Sequence, residues 1–259
     1  MVKFAIRLDY FEDVKPMLYR LLGPIWRKTV RPLWYRVSGK DKEALLMLFE
    51  AYDPSELLNF TLTRSTPQSI TFAKDMFLYV KNAISEYMAD KPDVRSINIL
   101  DIGGGNGAGS EYIRAQLQIH IAKAFPSRSA KINMTMIESG GEYEEWCNRF
   151  SPKITFLNVD IFTHEKIYDF VICSHVIEHV EAPIEFIKRM QCMAKERLFV
   201  YAPYNEHPLS QDGHINKIDD KFISALDSHQ PIFIKSKAWR PKGGCVLIIL
   251  PGKAATASI

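Results

Sequence analysis

The stretch Ile97-Asn98-Ile99-Leu100-Asp101-Ile102-Gly103-Gly104-Gly105-Asn106-Gly107 constrains this chain more than any other. An apolar, β-branched run closes on an acid and passes straight into glycines, and a helical pattern follows through Glu111, Tyr112, Ile113, Ala115, Gln116 and Leu117. That order reads as strand, tight loop and helix. Gly103, Gly105 and Gly107 let a bound molecule approach the backbone with no Cβ in the way and permit positive φ, while the helix start offers unpaired N–H groups. Asp101 sets a fixed negative charge beside them. The loop reads as a ligand cradle.

Two cofactor classes use such a loop and ask opposite things of it. A dinucleotide brings a pyrophosphate, which prefers a helix N-terminus without an acid alongside; Gly103-x-Gly105-x-x-Ala108 meets that fingerprint loosely. S-adenosylmethionine brings an α-ammonium and a sulfonium, both cationic, and an acid at the strand end favours them. Asp101-x-Gly103-x-Gly105-x-Gly107 resembles the first motif of the class I S-adenosylmethionine-dependent methyltransferases at every defined position.

At 259 residues, 47% hydrophobic and 24% charged, the composition is that of an ordinary globular chain, long enough for one large core with an appendage. No apolar run approaches the roughly 18 residues that span a bilayer. Met1 to Leu8 is interrupted by Lys3 and Arg7 and lacks an apolar signal core, so export is not expected. Cys147, Cys173, Cys192 and Cys245 are far apart, the middle two in apolar surroundings; they read as reduced core thiols of a cytoplasmic protein. A net charge of +3 is too small to argue for nucleic acid. It is unevenly placed, however: Arg20, Arg27, Lys28, Arg31, Arg36, Lys40 and Lys42 interleave with Trp26, Trp34 and Tyr35. Arg20 to Lys42 reads either as a solvated basic face or as a contact for an anionic substrate, a membrane surface or RNA.

Residues 1–95 read as a helical N-terminal cap. Ala44, Leu45, Leu48 and Phe49 share a face, and Asp53-Pro54 and Thr66-Pro67 are helix starts, the second leading into Phe72, Met76, Tyr79, Val80 and Ile84. Residues 96–259 alternate. Strands are expected at Lys131–Glu138, Ile154–Val159, Tyr168–Ser174 and Arg197–Tyr201, with helices at Gly141–Arg149 and Glu181–Met193. A helix near Ile218–Leu226, with Asn216 as its cap, then leads to a hairpin of Pro231–Ile234 and Cys245–Leu250. The expected fold is α/β: a Rossmann-like, doubly wound, mostly parallel seven-stranded sheet with an antiparallel C-terminal strand.

In such a sheet ligands sit at the carboxyl ends of the strands. Asp101, Glu138 and Asp160 close three successive strands, and Asp101 and Glu138 are expected at mostly exposed strand ends. The methyltransferase resemblance implies that Glu138 accepts the ribose hydroxyls and that Asp160 with the Ile161 backbone reads adenine. Cys173-Ser174-His175-Val176-Ile177-Glu178-His179-Val180 closely resembles the S-H-V-L-E-H-V signature of the ubiquinone-biosynthesis-like, type 11 branch, with Ile177 replacing leucine. That resemblance covers roughly residues 96–203. It implies that backbone near Ser174 contacts the methionine part of the cofactor and that His175 lies near the transferred methyl; His179 reads as a lining residue. No Asn/Asp-Pro-Pro-Tyr/Phe occupies this strand end, which disfavours an adenine, cytosine or glutamine amide acceptor. Nor does any run carry metal-ligand spacing, so no metal is expected.

The loop from Ala202 to Asn216 is long and polar, in the manner of a substrate-facing lid. His207 and His214 lie in it, and with His175 they are the candidate bases for an acceptor hydroxyl, His175 first. The chain is thus expected to be a methyltransferase that uses S-adenosylmethionine, leaves S-adenosylhomocysteine, and acts on a hydroxyl of a small molecule or glycan. A nicotinamide oxidoreductase and a catalytically silent binding subunit are the alternatives.

Overall fold

Ser96–Ile102 forms β1, the strand that feeds the glycines. In the computed structural model, which describes residues 66–128, 130–139, 141–206, 213–226, 231–239 and 244–254, helix α1 (Thr66–Asp90) precedes it. After it come α2 (Ala108–Ala124), β2 (Lys131–Ile137), α3 (Glu142–Phe150), β3 (Ile154–Leu157) and β4 (Tyr168–Ser174). Then follow α4 (Pro183–Met193), β5 (Ala194–Pro203), α5 (Asp220–Ser224), β6 (Ile232–Ile234) and β7 (Cys245–Pro251). The strands make one seven-stranded sheet in the order β3-β2-β1-β4-β5-β7-β6. β1 to β5 pair in parallel, and β7 runs antiparallel to both β5 and β6. Sequence order reverses between β1 and β4, so a crevice opens at the carboxyl ends of those two strands.

Alternate side chains of a strand point to opposite faces, and this sheet buries both. Phe170 and Ile172 of β4 join the layer of α1 and α2, whereas Val171 and Cys173 join that of α4. Asp101 shares the α2 face with Ile97 and Ile99 of β1, which is why its carboxylate meets that helix.

The boundary expected between residues 95 and 96 does not divide the core. α1 buries Ile70, Ala73, Met76, Val80, Ile84 and Met88 at helical spacing, most of them in one cluster with β1 and β2. Gly109 allows α1 this close to α2, since a Cβ there would stand 3.1 Å from the Ser69 carbonyl. The basic segment Arg20–Lys42 and the Asp53-Pro54 signal lie outside the described residues. Ile84→Ala is expected to lower stability by about 2–5 kcal/mol, read from the denaturant midpoint; a change within about 0.5 kcal/mol would mean that α1 only rests on the surface.

Other expectations shift by less. β3 stops at Leu157, short of Val159, which leaves Asp160 in a loop. α5 is capped by Asp219, whose carboxylate accepts the Phe222 N–H at 3.0 Å. Asn216 instead donates its amide to the carbonyls of Ile177 and Val180, tying the loop after β5 to the loop after β4. All four cysteines are free, and Cys192 is exposed rather than in the core. No described helix is long and apolar enough to cross a membrane.

Candidate active site

Gly103, Gly105 and Gly107 all take positive φ, at 74°, 57° and 80°. At Gly103 the need is also steric, because a Cβ would stand 2.2 Å from Val176 Cγ2. At Gly105 a Cβ would meet nothing within 4 Å, so the loop is open to a ligand there. Glu138 braces it from the next strand: Oε2 accepts the Gly105 N–H at 3.0 Å and Oε1 accepts the Ser139 N–H at 2.9 Å.

Asp101 departs from its expected exposure. It is buried, 6% accessible, and accepts the Ser110 hydroxyl at 2.5 Å. Burial, helped by the nearby Glu138 charge and opposed by the Ser110 hydrogen bond, pushes its carboxyl up to about 7.

A cavity of about 740 Å³ lies beyond the loop, with Gly103, Glu138, Asp160, Ile161, Val176 and Phe186 among its lining. Asp160 is exposed and its Oδ1 accepts the Phe162 N–H at 2.9 Å, which shapes the turn after β3. Ile161 buries its side chain, and its carbonyl accepts Arg189 Nε at 3.0 Å. The residues fit a nucleoside with a cationic chain: a small-molecule volume, acids at two strand ends, an apolar wall and a backbone cradle left open. A cation beside Asp101 would stabilise the ionised form that burial disfavours.

The end of β4 carries the second part of the site. His175 takes a left-handed φ of 56°, and its ring stacks on Phe72 with centroids 3.5 Å apart and planes at 12°. Tyr201 meets the ring edge-on at 5.2 Å. Its Nδ1 lies 3.1 Å from Ser174 Oγ and its Nε2 3.8 Å from Cys245 Sγ. Burial holds the imidazole well below the usual histidine range, with His214 and His179 adding to the effect, and it pushes the Cys245 thiol up to about 12. Both ring nitrogens therefore have internal partners. The geometry packs His175 between Phe72 and Cys245 and makes it a poor first choice of base.

His214 is held at the same strand end. The N–H groups of Ile215 and Asn216 both donate to the Glu178 carbonyl, at 2.8 and 3.1 Å, and so draw the loop after β5 against the end of β4. His214 is buried there, with Nδ1 3.0 Å from Glu206 Oε2 and its ring stacked on Trp239 at 5.7 Å. Burial and His179 lower its pKa while Glu206 opposes them. His207 lies outside the described residues.

Glu178, Glu206, Phe72 and Trp239 went unassigned from the sequence. Glu178 and Glu206 are buried carboxylates next to histidines, and the doublets Glu178-His179 and Glu206-His207 are their visible signal. Contrary to the expectation of no metal-ligating group, Glu178, His179 and His214 bring one ligand atom each within 4.8 Å of one another.

A seven-stranded sheet of this order, with a glycine loop after β1 and acids at the neighbouring strand ends, defines a Rossmann-like nucleotide-cofactor domain of the methyltransferase type. The family described as methyltransferase domain matches residues 72–224, and the chain belongs to that family, whose methyl donor is S-adenosylmethionine. Among solved structures, the CurJ carbon methyltransferase is similar in fold, with a TM-score of 0.54 at 14% identity over 96% of this chain and 72% of that one. The N-methyltransferase NodS from Bradyrhizobium japonicum gives 0.45 at 16% identity, over 66% of this chain and 92% of that one. Magnesium protoporphyrin IX methyltransferase from Synechocystis PCC 6803 gives 0.44 at 12%, over 88% and 97%. No curated protein matches the chain.

Proposed function

We propose that this protein transfers the methyl group of S-adenosylmethionine to a hydroxyl of a small-molecule or glycan acceptor. The observation that carries the reading is His214, buried beside the end of β4 with Nδ1 on the Glu206 carboxylate at 3.0 Å. A carboxylate only accepts, so Nδ1 keeps its proton and Nε2 keeps a lone pair. An alcohol is a poor nucleophile until its proton leaves, and a histidine so oriented is able to take it. We assign the base role to His214, with Glu206 positioning it, and give His175 the task of shaping the loop that the methionine part of the cofactor follows past Ser174.

On the cofactor side, Asp101 faces the ammonium, Glu138 the ribose and Asp160 with Ile161 the adenine; Gly103, Gly105 and Gly107 supply the approach. Bound there, S-adenosylmethionine supplies an electrophilic methyl. The chain's own part is alignment, which is worth about 7–11 kcal/mol in favourable cases, and proton removal. The basic, aromatic segment Arg20–Lys42 supports an anionic acceptor, or an acceptor presented at an anionic surface.

The test is label transfer from methyl-labelled S-adenosylmethionine to a panel of phenolic, carboxylated and saccharide hydroxyl compounds. His214→Ala is expected to lower turnover about 100- to 10,000-fold with S-adenosylhomocysteine affinity unchanged. Label arriving only on nitrogen or carbon acceptors would overturn the hydroxyl assignment. Cofactor binding with no transfer to any acceptor would favour a silent binding subunit.

A further inference from the structure

Glu178 is 1% exposed, and neither of its carboxylate oxygens has a hydrogen-bond partner. An ionised carboxylate taken so far from water is costly unless a proton or a cation meets it, and burial, eased by its own backbone N–H and helped by Glu206, pushes the Glu178 carboxyl up to about 8. His179 Nε2 lies 4.0 Å from Oε1. Glu206 Oε1 is likewise buried and unpartnered.

The two histidines beside Glu178 are oriented in the same way. His179 Nδ1 lies 2.9 Å from the Gly213 carbonyl, and His214 Nδ1 lies 3.0 Å from Glu206 Oε2. Both partners are acceptors, so in each ring the proton belongs on Nδ1 and the lone pair on Nε2. A histidine whose far nitrogen is fixed by a carbonyl or a carboxylate is the usual form of a metal-ligating imidazole. The two rings stand nearly perpendicular, 83° apart with centroids at 4.6 Å.

We propose that Glu178, His179 and His214 form a site for one divalent cation of the zinc or manganese class, with Glu206 and the Gly213 carbonyl orienting the two imidazoles. Two imidazoles and a carboxylate are a ligand set such ions accept, and three protein ligands leave a position open for water or a substrate oxygen. The three ligand atoms lie within 4.8 Å of one another. Around a tetrahedral ion with bonds of about 2.0–2.2 Å they would stand roughly 3.3–3.6 Å apart, so binding asks each side chain to close in by about an ångström. The cation gives the orphaned Glu178 oxygens their partner.

That a cation binds does not depend on the methyl-transfer reading; what it does there rests on that reading. A hydroxyl coordinated at the open position ionises more readily, its proton passing to solvent, and the oxygen then forms the O–CH3 bond as the S–CH3 bond breaks. With the cation bound the His214 lone pair serves as a ligand and the proton leaves to solvent; in the metal-free protein the same lone pair takes the proton directly.

The test uses the full chain stripped with a chelator and titrated calorimetrically with Zn²⁺ and with Mn²⁺, with Co²⁺ as an absorbance probe of imidazole ligation. One equivalent is expected to bind. Glu178→Gln and His214→Ala should each weaken it at least about 100-fold, and Glu206→Gln about 10- to 100-fold. His179 is exposed, so His179→Ala provides a ligand deletion that leaves the core packed. No stoichiometric binding by the wild type, or binding unchanged in His179→Ala and Glu178→Gln, overturns the site. S-adenosylhomocysteine affinity, measured on the same samples, separates the two readings: cofactor binding with chelator-insensitive methyl transfer leaves the direct base and removes the metal from the reaction. Metal binding without cofactor binding does the reverse.

Discussion

Asp101→Asn is expected to weaken S-adenosylhomocysteine binding by about 100-fold or more while leaving the melting temperature near neutral pH no lower than that of the wild type. The two outcomes have one cause. Asp101 is buried and its carboxyl sits at about 7 in the ligand-free protein, against 3.8 for an ordinary aspartate. Between those values the folded state holds a proton that the unfolded state has released. Stability therefore falls as pH rises across that window, by up to about 1.4 kcal/mol per unit, and nothing more is lost above it. Asparagine removes this penalty and keeps the size of the side chain. It also removes the charge that an ammonium group needs. The pH dependence of binding follows with the opposite sign: affinity should rise with pH up to about 7, because below that a proton must leave Asp101 first, and then level off. Calorimetry across that range and thermal unfolding of both proteins decide the matter. An asparagine variant that binds normally, or a wild-type affinity that falls as pH rises towards 7, would mean that the acid does not face the cofactor.

Gly103→Ala is expected to abolish both cofactor binding and turnover, and Val176→Ala in the same chain to restore part of each. The φ of 74° at Gly103 is strained for any residue with a Cβ, and that atom would stand 2.2 Å from Val176 Cγ2. Val176 has one stiff torsion and cannot swing away. It would have to shift with the loop that holds His175, Glu178 and His179, so damage to the cofactor cradle is carried into the acceptor side. Truncating Val176 leaves its Cβ at 3.4 Å, an ordinary contact, although the φ strain remains. Failure of the double variant to bind better than Gly103→Ala would place the damage in the backbone alone.

β1, the glycine loop and the alternation after it were legible in the sequence because they rest on local signals: a two-residue period, glycines at a turn, an acid at a strand end. Tyr168–Ser174 was read residue for residue as the strand it forms. The antiparallel last strand was legible too, since no helix fits between Ile234 and Cys245. The place of α1 was not. Its helical stripe says that one face is buried but not against what, and a long amphipathic helix ahead of a sheet reads equally well as a cap.

The chain's own order of residues determined a methyltransferase-type sheet with acids at or just past three successive strands, because strand ends and the turns after them are local features. The acceptor side was decided by tertiary structure alone. His175 looked like a base by its position after β4, yet Phe72 from α1 and Cys245 from β7 enclose its ring. Glu178 and His214 lie far apart along the chain and meet only because Ile215 and Asn216 bond to the Glu178 carbonyl. Burial then changes what each group is: an aspartate that titrates near neutrality, a histidine held well below its usual range, and a glutamate pushed up to about 8. Desolvation depends on what packs around a side chain from distant parts of the chain, and one-dimensional spacing carries no record of it.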